Sequence, residues 1–543
     1  MKYNATSIPY RATGLFSALV NDYIESKGTA QQYVAYTPNM EGVKKAIAQR
    51  NFSAANRKIL VQVLQNQYEK FGVNIDASIQ LANDAVLANI ILLKDENTFA
   101  VTTAHQPNLF TGPLYFFYKI IHTIKLASEL KKQFPEQNFV PVYYMGSEDA
   151  DLNEVGAYSI DGAAHQWNTK QTGAIGRMKV DDPLLQLLQN LEGYWSVKQE
   201  GKWALDVLKA SYKKGATINE ATLHLVHLFF GKYGLLLVQP DDAALKKIFT
   251  GVMEKELTTQ FSHAAIQNTI ASLSKSYHVQ SDGRPLNLFY LKENTRNRIE
   301  KKGDQFVVVD TDIQFSQTDI INELHTYPDR FSPNVILRGL YQESIIPSVV
   351  FIGGGGELAY WMELKNVFEK GNVHYPVLVL RNSFLFIKEK QCQHWTSLQF
   401  EMSELFKSTM DLELAFIKKQ AVENLALTDH IASLTQLYHS IQQDVIKIDP
   451  SLGDHALNLA VQAQKKLTLL EKKMIRAEKR KQHTSIARIQ HLKSELFPNQ
   501  SLQERVENFS DWVGDYGWDW VESILTHSNG MEHGFKIITI TKD

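Results

Sequence analysis

Four stretches of the chain gather residue types suited to chemistry, and three of them directly follow an apolar run of strand length. The first is Thr102-Thr103-Ala104-His105-Gln106-Pro107-Asn108-Leu109-Phe110-Thr111-Gly112-Pro113-Leu114. His105 and Asn108 offer hydrogen bonds to a nucleotide or to developing negative charge. Pro113 suits a first helical turn, where a missing N–H costs nothing. The free N–H groups after it, with Thr111 and Gly112 alongside, suit a phosphate or carboxylate. A plainer reading makes Thr111 a helix cap and His105 a loop residue. The second stretch is Ser147-Glu148-Asp149-Ala150-Asp151. Three carboxylates in four residues repel one another, so something positive must relieve them: Mg²⁺, a substrate ammonium or an arginine. A helix N-terminus enriched in acids is the structural alternative.

The third stretch, Val349-Val350-Phe351-Ile352-Gly353-Gly354-Gly355-Gly356-Glu357-Leu358-Ala359-Tyr360, lets backbone approach a ligand without Cβ interference. Gly354, Gly356 and Ala359 satisfy GxGxxA, but a glycine run satisfies many patterns. The next strand ends in Arg381, where an NAD ribose would need an acid. No Lys-Ser/Thr follows the glycines, which excludes a Walker A loop; a turn built for packing is the alternative. The fourth runs from Asn334 to Glu343. Arg338 and Gln342 lie four apart, on one face of a helix, and their planar forks suit carboxylate or phosphate. Arg381-Asn382-Ser383 offers a similar set. The alternative is a structural ion pair of either arginine with Glu343 or Glu357, the commoner outcome for a single arginine.

Three other features read as structural. His224 and His227 sit in an apolar helical run and belong to a core boundary. Residues 465–481 hold eight Lys/Arg against two Glu, the solvated flank of a heptad-patterned helix. Cys392 is the only cysteine, which excludes an intramolecular disulfide and a CxxC pair and fits a reducing compartment.

The elements that must hold these groups follow from hydrophobic periodicity. The first 90 residues read as mainly helical. From residue 98, apolar runs at Phe99–Thr103, Phe139–Met145, Leu235–Val238, Val349–Ile352 and Val377–Leu380 alternate with amphipathic segments such as Tyr115–Leu130. Continuously apolar strands suit a parallel sheet covered by helices on both faces. Near residue 400 the pattern changes. Leu427, Ile431, Leu434, Tyr438, Ile441, Val445 and Ile448 form one heptad segment, and Ala460, Ala463, Leu467, Leu470, Met474 and Ala477 a second, with Asp449-Pro450 between them. An antiparallel helical hairpin is predicted, with its outer apolar faces packed on the body or on a second copy. Phe535–Ile540 reads as a final strand, so the arm is inserted near the end of the body. Lys+Arg 57 against Asp+Glu 59 leaves a net charge of −2, which argues against nucleic acid or membrane as a partner. The N-terminus has no signal-like apolar stretch and no run of 18 apolar residues occurs, so a cytoplasmic protein is expected.

The blocks HQPNLFTGPLYFFYKI, PVYYMGSEDADLNEV, NVILRGLYQESIIPSVVFIGGGGELAYWMELKNVFEK and LFPNQSLQERVENF resemble those of the cysteine-adding enzymes of bacillithiol biosynthesis, the bacillithiol synthase family. The resemblance runs over essentially the whole chain. It implies an α/β fold: a Rossmann-like parallel-sheet core with connecting segments (residues 1–395), an inserted antiparallel coiled-coil arm through which two subunits pair as a homodimer (396–497), and a C-terminal segment returning to the core (498–543). It also implies a ligase that joins the carboxyl of L-cysteine to the amine of glucosaminyl-malate, the last step to bacillithiol, with ATP as the source of activation. Residues 105–113, 148–151, 334–343 and 353–360 would surround the cleft. In this reading loop 105–113 and Gly353–Gly356 hold phosphates, Glu148, Asp149 and Asp151 bind Mg²⁺ or the cysteine ammonium, and Arg338 or Arg381 holds carboxylates or phosphoryl oxygens. Glu357 would accept a proton from the amine, with His105, Glu148 and Asp149 also catalytic. Asn108, Thr111, Gly112, Asn334, Gln342, Tyr360 and Ser383 would contact substrate or nucleotide. The sequence departs from the family pattern twice: Ala104-His105-Gln106-Pro107 replaces a Gly-Gln-Gln-like start, and Ala150 stands where many members have His. The rival readings are nucleotidyl transfer to another acceptor and a dimeric nucleotide-sensing scaffold.

Overall fold

The computed structural model describes residues 1–69, 77–160, 162–198, 200–280, 283–421 and 425–542. Its contacts divide the chain into two units: Ala5–Leu385 with Gln503–Lys536, and Phe386–Leu502 with Met1–Asn4 and Ile537–Asp543. The expected arm, 396–497, falls inside the second.

The first unit is built on five strands: β1 (Thr98–His105), β2 (Asn138–Met145), β3 (Leu236–Val238), β4 (Ser348–Gly353) and β5 (Val377–Leu380). They lie in the order β5-β4-β1-β2-β3, each neighbouring pair parallel. Val349 to Ile352 and Val377 to Val379 are fully buried, as strands covered on both faces must be. Val101, Val350, Val379 and the helical Leu126 share one core cluster. Each such side chain stabilises the fold by about 1.5–3 kcal/mol on leaving water. The first 90 residues are mainly helical but open with a strand, Lys2–Ile8, which with Ser383–Lys388 flanks Phe535–Thr541 in a three-stranded sheet.

Four helices carry the polar groups of interest. Helix α1 (Tyr115–Gln133) crosses from β1 to β2, α2 (Ala243–Thr259) follows β3, α3 (Val335–Ile345) precedes β4 and α4 (Gly355–Glu363) follows it. The chain lays β2 and β3 on one side of β1, then β4 and β5 on the other. Where strand order reverses, a crevice opens between the carboxyl ends of β1 and β4. His105 ends one of these strands and Gly353 the other.

Residues 288–333, expected only as connecting segment, form five antiparallel strands. Their order is Gln314–Ser316, Gln305–Val308, Thr295–Lys302, Leu288–Lys292 and Phe331–Pro333. The segment Thr-Arg-Asn-Arg-Ile-Glu-Lys-Lys buries only Ile299, so its strand has almost no hydrophobic alternation to read.

In the second unit, α5 (Thr428–Val445) and α6 (Leu452–Lys481) form the predicted hairpin, turning at Asp449, whose carboxylate accepts the Ser451 N–H at 2.8 Å. Helix α5 buries no side chain, and Leu437, Ile441, Leu469 and Leu470 stay exposed. No described helix is long and apolar enough to cross a membrane.

Candidate active site

The crevice at β1 and β4 holds a cleft of about 500 Å³. One wall is the glycine run. Gly354 caps α4, and its N–H donates to Glu357 Oε2 at 2.8 Å. Gly355 and Gly356 occupy the first turn, whose N–H groups a helix leaves without internal partners, and both face the cleft. The packing reading holds for Gly353: a Cβ there would lie 2.8 Å from Leu358 Cδ1.

Four cations line this space: Lys119, Arg338, Arg381 and Arg505, against the carboxylates of Glu357 and Glu154. Lys119 is the one lysine on the buried face of α1. It donates to Ala104 O at 2.9 Å and pairs with Glu357 at 2.5 Å. Burial lowers its basicity, and Glu357 only partly restores it. Arg381 is gripped at both nitrogens by Glu504, at 2.6 and 3.0 Å, with 6% and 1% of the two side chains exposed. Burial would lower its pKa, but Glu504 holds it above its ordinary value. Tyr360 lines the cleft beside Arg338 and is raised by burial.

The acidic run divides its charge among separate partners. Glu148 is buried, paired with Lys246 of α2, which also donates to Phe331 O. Burial pushes the Glu148 carboxyl up against the pull of that ammonium. Asp149 Oδ2 accepts from Gln106 at 2.9 Å and Arg338 at 3.1 Å, and Oδ1 lies 3.6 Å from Arg296. Although burial raises Asp149, these arginines hold it below the ordinary carboxylate value. Asp151 caps the short helix Leu152–Val155 through the Glu154 N–H. The repulsion is thus relieved by lysine, arginines and a helix end. Among the described residues no three His, Cys, Asp or Glu side chains gather as a metal site.

The loop after β1 spends its amides on the protein itself. The N–H groups of Asn108, Thr111 and Gly112 bond to Gln106, Asn108 and Leu109 carbonyls, that of Phe110 to the Tyr212 hydroxyl, and that of Leu114 to Glu507 O. The phosphate cradle expected from loop 105–113 is therefore corrected at Asn108, Phe110, Thr111 and Gly112, whose donors are already taken. Thr111, at φ 71°, is no helix cap, and Gly112 adopts φ 63° with Asn108 packed against it. Asn108, Thr111 and Gly112 are wall supports outside the cleft lining.

His105 does face the cleft, edge-on to Tyr115 with 5.2 Å between ring centroids. Its Nε2 is buried without a hydrogen-bond partner. Burial, then Lys119, Arg338 and Arg381, hold the ring far below its ordinary pKa, so it is a neutral imidazole. Among the remaining sequence candidates, Asn334 caps α3 and Gln342 is buried, donating to Glu343 at 2.9 Å. Ser383 Oγ accepts from Arg381 at 3.1 Å. These, with Glu148, lie outside the cleft. His224 meets Ser211 and His227 meets Asn83, as core-boundary histidines do.

Sequence reasoning missed Lys119, Tyr115, Arg505, Glu504, Lys246 and Arg296. A single lysine inside the apolar run FFYKII was the one local signal, because a fully buried charge persists only beside a partner.

Known proteins resemble this chain along its length. The family model for the bacillithiol biosynthesis BshC N-terminal Rossmann-like domain matches residues 1–382, and that for the BshC C-terminal coiled-coil domain matches 384–540. A relative from Flavobacterium johnsoniae is 38% identical over 98% of this chain and 99% of its own. One from Christiangramia forsetii is 36% identical over 99% of each, and one from Bacillus cereus 27% over 96% and 98%. All three are named "putative cysteine ligase BshC". A solved chain from Campylobacter jejuni, titled as a "putative arginyl t-RNA synthetase", aligns over 84% of this chain and 98% of its own. Its 11% identity and TM-score of 0.19 are too weak to bear on fold or function.

Proposed function

The chain belongs to the bacillithiol biosynthesis BshC family, whose curated members carry the name of cysteine ligases, and on that footing we propose that it joins the carboxyl of L-cysteine to the amine of glucosaminyl-malate with ATP as co-substrate. The observation that carries this reading is the cationic cleft at the strand-order reversal, where Lys119, Arg338, Arg381 and Arg505 meet the first turn of α4. Amide formation from a free carboxylate is uphill in water, so the acyl group must first be activated. The cysteine carboxylate attacks a phosphorus of ATP, expelling pyrophosphate from the α-phosphorus or ADP from the γ-phosphorus, and gives a mixed anhydride. The amine then attacks the acyl carbon, the C–N bond forms, the phosphate-bearing group leaves, and the amine gives up a proton.

The residues divide this work by chemistry. The α4 amides and the four cations suit the phosphate oxygens, where fixed donors stabilise charge without reorganisation. Glu357 is already engaged by Lys119 and Gly354, which suits it to holding Lys119 in place. His105 lines the cleft as a neutral ring and would take the amine proton on whichever ring nitrogen carries no hydrogen, provided the amine attacks uncharged. Any Mg²⁺ would enter with the triphosphate. The exposed apolar stripe of α5 and α6 would pair two subunits.

Purified protein given L-cysteine, glucosaminyl-malate and Mg-ATP should yield bacillithiol, with either AMP and pyrophosphate or ADP and phosphate as the second products. Consumption of ATP with an acceptor other than glucosaminyl-malate, and no thiol product, would instead establish nucleotidyl transfer.

A further inference from the structure

A second cavity, of about 390 Å³, adjoins the cleft at Asp149. One Asp149 oxygen faces the cleft residues Gln106 and Arg338, while the other faces Arg296, which lines the second cavity together with Arg284. Arg296 is only 9% exposed and lies 3.9 Å over the Phe289 ring, which fixes the plane of its guanidinium. Its other contacts, to Ser332 Oγ and Pro333 O, stand at 3.4 Å, near the limit for hydrogen bonds. Among the described residues Asp149 is its one ion-pair partner and is shared with the closer Arg338. Arg284 is exposed at the cavity, with no ion pair recorded for its side chain among the described residues. The first turn of α3, capped by Asn334, opens on the same space.

The charge around Asp149 does not balance. Arg338 and Arg296 share one carboxylate, Arg284 lines the same cavity, and the nearby Glu148 is occupied by Lys246. A buried guanidinium with a shared counter-ion is costly unless further negative charge arrives. A guanidinium stacked in place and a second arginine exposed at the mouth match a planar carboxylate.

We propose that this cavity is the subsite for a dicarboxylate arm of the amine substrate, the malyl group in the reaction above, bound by Arg296 and Arg284. The proposal deepens that reading and rests on it. It also moves the malate carboxylates away from Arg338 and Arg381, leaving those two for the phosphates. The shared wall at Asp149 then aligns the amine of the sugar with the acyl group in the main cleft.

The test uses the full-length protein and the variants Arg284→Ala and Arg296→Lys, the first exposed and so safe for folding. In Arg284→Ala the KM for glucosaminyl-malate should rise about ten- to a hundred-fold, the usual loss for one charge-assisted contact. The KM values for ATP and cysteine should not change. L-Malate alone, titrated by calorimetry, should bind the wild type and bind both variants more weakly. Unchanged acceptor KM in Arg284→Ala, or malate affinity equal in all three proteins, overturns the subsite. If malate binding depends on both arginines while no bacillithiol forms under any condition, the subsite stands and the ligase chemistry falls.

Discussion

Replacing Glu504 by Gln tests how the cleft keeps a buried arginine charged. The two side chains meet at 2.6 and 3.0 Å, almost wholly out of water. At these distances and an effective dielectric near 20, the attraction is about 6 kcal/mol. Desolvation of several kcal/mol per ion offsets most of that, so the intact pair is close to neutral for stability. Removing one partner is different, because Arg381 keeps its charge and is left with neutral acceptors such as the Asn382 carbonyl and Ser383 hydroxyl. The expected loss is about 3–5 kcal/mol, at the lower end for Gln, whose carbonyl still accepts one bond. The double variant Arg381→Met with Glu504→Leu should recover to within about 1 kcal/mol of wild type, since apolar packing replaces both ions. It should nevertheless lose ligase activity, because Arg381 lines the cleft. Urea unfolding followed by tryptophan fluorescence measures the stabilities, and a double-mutant cycle gives the coupling. Single-variant losses that simply add in the double variant would refute the argument.

Three further outcomes are expected. Glu343 is buried and its pKa is pushed from an ordinary 4.5 to about 7, so below pH 4.5 its carboxyl carries no penalty; between pH 4.5 and 7 the unfolded chain ionises first and stability falls, reaching a loss of about 3 kcal/mol above pH 7. Glu343→Gln should therefore melt increasingly higher than wild type as pH rises through that window, and parallel melting curves would contradict this. Gly112→Ala places a Cβ 2.8 Å from Asn108 Cβ at a φ of 63°, and should cost about 2–4 kcal/mol in urea unfolding; a loss below 1 kcal/mol would show that the loop yields. Lys119→Met removes a cleft cation and frees Glu357, so kcat/KM for ATP should fall about a hundred-fold while far-ultraviolet circular dichroism is unchanged; an unaltered KM for ATP would remove Lys119 from the phosphate site.

The sequence by itself determined the layers of this protein. Continuous apolar runs such as VVFI and VLVL read as strands buried on both faces, and heptads broken at Asp449-Pro450 read as a hairpin, and both form. The same patterns placed His105 and Gly353 at strand ends, and so at the rim where a cleft forms. Which groups meet there was decided by the tertiary structure. Glu148 finds Lys246 98 residues away, Arg338 reaches Asp149 across 189, and Arg381 depends on Glu504 across 123. Charge pairing acts through space and leaves no periodicity along the chain, so an acidic run looks the same whether it awaits a metal or lies against lysine and arginine. The antiparallel sheet of residues 288–333 escaped for a related reason: its Thr295–Lys302 strand is polar except for the buried Ile299 and is held by its neighbours' backbone. Local pattern records what each segment hides from water, and only the folded arrangement records what each charge is hidden against.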